Sequence, residues 1–132
     1  METKYIFSFE KLKAWQEARV LGKMIYILTK SFPDNEKFGL ISQLRRAVVS
    51  VSSNLAEGAS RVTKKDQAHF YSVAYSSLME VTSQLILSVD LEFCRELEIN
   101  REFRPQVEKT ANLINALRNA ALNESTAKRI NS

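Results

Sequence analysis

Glycine and proline are scarce in this chain, with three and two respectively among 132 residues. A β-sandwich or barrel needs many tight turns and therefore many turn residues, whereas long helices joined by short connections need few. A single cysteine, Cys94, excludes an intramolecular disulfide framework, and the reading that follows is a reduced, cytoplasmic protein. No apolar run approaches the roughly 18 residues of a membrane span. The opening Met1-Glu2-Thr3-Lys4 has no basic segment leading into an apolar stretch, so neither a cleaved signal nor a membrane protein is expected. One histidine, His69, and one cysteine cannot make a His/Cys metal framework. There is no Gly-rich phosphate loop, and no serine has a histidine at a spacing that would read as a triad. No catalytic residue, cofactor, metal or small-molecule substrate is expected.

What is present is a balanced helical composition: 45% hydrophobic and 26% charged residues, enough for one domain with its own core. Ala14, Ala18, Leu21, Ile25, Leu28 and Phe32 alternate steps of four and three, which puts them on one face of a first helix starting near Ser8 and stopped by Pro33. Ser8 reads as its cap, with Phe7 and Leu12 as a hydrophobic staple. A second helix, about 36–59, carries Ile41, Leu44, Val48, Val51, Leu55 and Gly58 along its seam, and Gly58 marks a close approach or the helix end. Thr63 is the expected cap of a third helix, 64–93, with Asp66 three residues on. That helix bears two apolar rows, Phe70, Ala74, Val81 and Leu85 beside Tyr71, Tyr75, Met79, Ile86 and Phe93. A fourth, about 99–122, presents Phe103, Val107, Ile114, Leu117 and Ala121, although Pro105 is comfortable only in a first turn. The expected fold is all-α, an antiparallel up-down four-helix bundle over residues 1–122, with a disordered tail at 123–132. Leu44, Val48, Leu55, Phe70, Val81, Leu85, Ile114 and Leu117 are its expected core.

Charge is uneven along the chain. Residues 1–65 hold 12 Lys/Arg against 6 Asp/Glu, a balance of +6, and residues 66–132 hold 7 against 9, a balance of −2. Arg45, Arg46, Arg61, Lys64 and Lys65 form the densest cationic group, and the last three border the second connection, a corner suited to phosphates of RNA or DNA. Solvated lysines and arginines are equally ordinary there, and no aromatic residues are interleaved for base stacking. On the second helix Gln43, Arg46, Ser50, Asn54, Glu57 and Arg61 recur at steps of three or four, about two residues out of phase with the apolar seam. Two residues are roughly 200° on a helix, so this stripe should face away from the core. It reads either as a solvated face or as a subunit interface, since Ser42, Ser50, Ser52, Ser53 and Ala56 are small enough to admit another helix.

The segments Phe32-Pro33, Gly39-Leu40, Ser42-Gln43-Leu44-Arg45-Arg46-Ala47, Ser50-Val51, Ser53-Asn54-Leu55-Ala56-Glu57-Gly58 and Ser77-Leu78-Met79-Glu80 carry a specific likeness. Over about residues 8–122 the chain resembles the 23S ribosomal RNA intervening-sequence proteins, four-helix bundles encoded within insertions in bacterial 23S rRNA genes or elsewhere in bacterial genomes. It departs from their pattern at Ser52, where the family usually has proline, so this helix should be straighter. The resemblance implies a bacterial homopentamer. Asn54, Glu57 and Glu80 match the motif and, with Arg46 and Gln43, are candidates for a polar network between helices or subunits. The functional expectation is a noncatalytic oligomeric protein that binds RNA or DNA through a basic surface. The alternative is a protein-binding adaptor, or a mobile-element accessory without rRNA contact.

Overall fold

A computed structural model describes residues 7–131; the reading of Met1–Lys4 lies outside them. Every element among the described residues is helical: α1 (Lys13–Thr29), α2 (Leu40–Ser60), α3 (Lys64–Asp90) and α4 (Arg104–Asn131), with short 3-10 turns at Ser8–Lys11 and Asp34–Glu36. A helical turn at Glu96–Glu98 and a π-helical turn at Ile99–Phe103 lead into α4. No helix is long and apolar enough to cross a membrane.

Each long helix packs on two others, α1 on α2 and α4, and α3 on α2 and α4, with α2 against α3 the most extensive pairing. The enclosed core contains Leu21, Ile25, Leu44, Val48, Val51, Leu55, Leu78, Val81, Leu85 and Ile114, all at most 2% exposed. Each such aliphatic side chain contributes roughly 1.5–3 kcal/mol when withdrawn from water. All six apolar positions read for the first helix are buried. Polar side chains that enter this interior are bonded to the backbone: Thr29 Oγ1 donates to Ile25 O at 2.8 Å, Ser88 Oγ to Gln84 O at 2.7 Å and Thr110 Oγ1 to Gln106 O at 2.8 Å. That satisfies the cost of their desolvation.

The helix ends differ from expectation for local reasons. Ser8 caps nothing in α1; it opens a 3-10 turn in which the Glu10 carboxylate accepts from Phe7 N at 2.6 Å, and α1 begins five residues later. Phe7 is exposed and stacks on Phe9, so the staple with Leu12 is not made. The second helix starts at Leu40 because the chain turns through Asp34–Glu36 and the extended Gly39, and Leu40 takes the buried place read for Ile41. Thr63 does cap α3, its Oγ1 accepting from Asp66 N at 3.1 Å. α3 stops at Asp90, short of Phe93, in a Schellman turn: Phe93 N donates to Ser88 O and Glu92 N to Val89 O, both at 2.9 Å, with Glu92 left-handed at φ 63°.

Pro105 does not open the last helix either. It lacks an N–H and its ring crowds the carbonyl four residues back; the wider π turn at Ile99–Phe103, directly before it, lets the helical path continue. α4 then runs through 123–131, the segment read as a tail, since no glycine or proline interrupts it after Pro105. Among the expected core residues, Phe70 is the exception. It is half-buried at the surface while its neighbour Tyr71 is 4% exposed, and Leu117 is half-buried against the core.

Candidate polar seam and basic corner

The polar stripe of α2 lies along its groove with α3, not opposite the core. Gln43, Ser50, Asn54 and Glu57 each precede a seam residue, Leu44, Val51, Leu55 and Gly58, by one position, which is about 100° of helix. That places the stripe on the flank next to α3. There Ser50 Oγ and Ser77 Oγ share a hydrogen bond of 2.8 Å, and Asn54 Nδ2 donates to Ser50 O at 2.8 Å and to Ser50 Oγ at 3.0 Å. One α-helical turn nearer the α2 start, the Arg46 guanidinium pairs with the Glu80 carboxylate and donates to Gln43 Oε1 at 2.9 Å. Glu80 also accepts a long bond from Gln84 Nε2 at 3.4 Å.

Arg46 and Glu80, read as members of one network, therefore do meet, and Gln43 joins them. Asn54 belongs to a second cluster with Ser50 and Ser77. Glu57 forms a third, accepting from Arg61 Nη2 at 2.8 Å on its own helix. The side chains of Arg46 and Glu80 are 57% and 37% exposed, so water screens the pair and its net worth is about 0–1 kcal/mol. It sets the register of α2 on α3 more than it stabilises them.

The five basic residues are not one patch. At a rise of about 1.5 Å per residue, Arg46 and Arg61 stand roughly 22 Å apart along α2. Arg45 turns toward α1, where its Nε donates to Thr29 Oγ1 at 2.9 Å and its guanidinium lies 4.6 Å from the centroid of the Tyr26 ring. Residues 45 and 46 thus tie α2 to its two neighbours. Only Arg61, Lys64 and Lys65 share the α2–α3 connection, all three exposed. Arg61 stacks over Phe70 at 4.6 Å, and Lys64 Nζ pairs with Glu124 Oε2 of α4 at 3.2 Å. The exposed Val62 and the exposed His69, edge-on to Phe70, border the same corner. One aromatic ring does therefore lie beside the cations, but a guanidinium covers it.

One ionic tie gave no sequence signal. Glu17 of α1 accepts from Gln106 Nε2 of α4 at 2.7 Å and pairs with Lys109 Nζ at 3.2 Å. The Gln106 bond, helped by Lys109 and opposed by partial burial, holds its carboxyl below the usual range. Its partners are 89 and more residues away in sequence, beyond the reach of any local pattern. Cys94 is half-buried, and burial together with the charge of Glu98 pushes its thiol up.

The family model described as 23S rRNA-intervening sequence protein matches residues 10–116, from the turn before α1 into α4. No curated protein matches the chain.

Proposed function

The chain belongs to the 23S rRNA-intervening sequence protein family, and from that membership we propose a noncatalytic bacterial protein of the cytoplasm that assembles with itself and holds RNA or DNA by its backbone. The helices form an antiparallel up-down bundle in this reading, which the pairing of each helix with two others supports. Self-assembly, as a pentamer by resemblance, draws support from the outer faces of α2 and α3. These carry small exposed Ser42, Ser53, Ser76 and Ser83 together with exposed Val49, Met79, Ile86 and Leu87. Gln43, Arg46, Asn54, Glu57 and Glu80 then bear on assembly indirectly, by fixing how α2 sits on α3.

The observation that carries the nucleic-acid reading is the meeting of Arg61, Lys64 and Lys65 at one exposed connection. Cations there bind phosphate without reading bases, and a ring repeats the corner so that weak contacts add as avidity. Arg45 and Arg46, engaged with α1 and α3, support the fold of this surface and not the contact itself. A protein-binding adaptor is the second reading, favoured by the pairing of Arg61 with Glu57 and of Lys64 with Glu124, which leaves less free charge for phosphate. Light scattering at several concentrations together with low-salt gel shifts on varied RNA and DNA tests the proposal. A higher-order oligomer that shifts both is expected; a persistent monomer, or an oligomer that shifts neither, overturns it.

A further inference from the structure

Beside the basic corner, a cleft of about 290 Å³ opens between the start of α3, the end of α2 and the outer part of α4. Its floor is apolar, with Leu12, Leu117 and Ala121, and its mouth holds Lys64 and Glu124, whose charged atoms stand 3.2 Å apart. Tyr71 also lines it. That residue is 4% exposed, yet its hydroxyl has no hydrogen-bond partner among the described residues. Helical side chains lean toward the N-terminus of their helix, which aims this phenol at the cleft end of α3. A hydroxyl withdrawn from water and left without an acceptor is unfavourable, and a ligand that supplies one relieves it. Burial raises the phenol's pKa, so it stays a neutral donor at physiological pH.

The volume sits at the lower edge of the roughly 300–1,000 Å³ of drug-sized sites, so the occupant is small. Charge selects it further. A simple anion would take Lys64 from Glu124 and leave that carboxylate facing a like charge, and a simple cation would do the reverse to Lys64. A zwitterion answers both. We propose that this cleft binds a free α-amino acid with a branched aliphatic side chain, its carboxylate accepting from the Tyr71 hydroxyl and Lys64, its ammonium facing Glu124, and its side chain on Leu12, Leu117 and Ala121. The site is separate from the nucleic-acid reading, although the two share Lys64.

Titration of the full-length protein with L-leucine, isovalerate and isoamylamine, followed by heteronuclear NMR and calorimetry, tests this. L-Leucine is expected to saturate with a dissociation constant on the order of 1 mM and to shift resonances of Tyr71, Leu117 and Ala121. Isovalerate, lacking the ammonium, and isoamylamine, lacking the carboxylate, should each bind at least several-fold more weakly. Tyr71→Phe removes only an unpartnered hydroxyl, so it should fold as the native chain does and bind about three- to tenfold more weakly, the loss of one hydrogen bond. The proposal is overturned by an absence of saturable L-leucine binding, by isovalerate or isoamylamine binding as tightly, or by unchanged binding to the folded Tyr71→Phe protein.

Discussion

The same substitution, glycine to alanine, should have opposite effects at two helical positions. At Gly22 an added Cβ meets nothing within 4 Å, so Gly22→Ala gains only the helical preference of alanine, about 0.8–1.0 kcal/mol. At Gly58 it would lie 2.7 Å from Tyr71 Cε1, 2.9 Å from Tyr71 Cδ1 and 3.1 Å from Phe70 Cβ. Carbon atoms rest at about 3.5–4.0 Å, and Tyr71 is 4% exposed and cannot swing away into solvent. Overpacking of this kind costs about 1–3 kcal/mol, and three short contacts place Gly58→Ala near the upper end. Subtracting the helical gain leaves a net loss of about 2 kcal/mol. For a chain of this length that is a fall in Tm of about 6–10 °C, against a rise of about 3–5 °C for Gly22→Ala. Urea unfolding followed by circular dichroism, at one protein concentration because assembly shifts apparent stability, reads both. In a Tyr71→Ala background, which removes the two closest atoms, Gly58→Ala should lose much of its cost. Equal stabilisation by the two alanines, or an unchanged penalty in the Tyr71→Ala background, would refute the packing described for the α2–α3 corner.

Two further outcomes follow from local geometry. Glu92 is left-handed at φ 63°, a conformation that costs a side-chain-bearing residue about 1 kcal/mol and glycine little, so Glu92→Gly should raise the urea midpoint by about that amount. The Glu17 carboxyl is held below its ordinary value by Gln106 and Lys109. A depressed folded pKa gives stability that is complete above the unfolded value, near pH 4.3, and is lost as pH falls through the folded one. The stability difference between the native chain and Glu17→Gln should therefore be largest near neutrality and shrink below about pH 4; a difference that grows in acid would mean that the α1–α4 tie is not made.

How far the molecule could be read from its sequence varied by element. α1 was legible because its apolar positions form a single narrow row, closed by Pro33, and all six are buried. α3 was not, because apolar residues cover so much of its circumference that periodicity cannot choose between adjacent rows. Phe70 and Tyr71 exchange places on that account, and Met79 and Ile86, read as core-facing, are 37% and 42% exposed. The α4 entrance depended on how a π turn accommodates Pro105, a backbone adjustment with no side-chain signature. For the candidate surface, residue types were visible but partners were not. Arg45 and Arg61 look alike in the sequence, yet one is bonded to Thr29 and the other to Glu57. The stripe Gln43, Arg46, Ser50, Asn54 was recognised as a unit, and a shift from about 200° to about 100° in helical phase turned it from an outer face into the α2–α3 seam.

The proposed role rests on electrostatic contact at the α2–α3 connection, and the salt dependence of binding tests it most directly. Fluorescence anisotropy with an RNA and a DNA of unrelated sequence, repeated from low to physiological salt, gives the slope of log K against log salt for the native chain and for Arg61→Ala/Lys64→Ala/Lys65→Ala. Each phosphate contact contributes about −0.7 to −0.9 to that slope. The native protein should bind both nucleic acids with similar affinity and a clearly negative slope. The triple variant, folded and assembled as the native chain is, should bind more weakly and with a shallower slope. A slope near zero for the native protein, or the same affinity and slope for the triple variant, would contradict the assignment of this corner to nucleic acid.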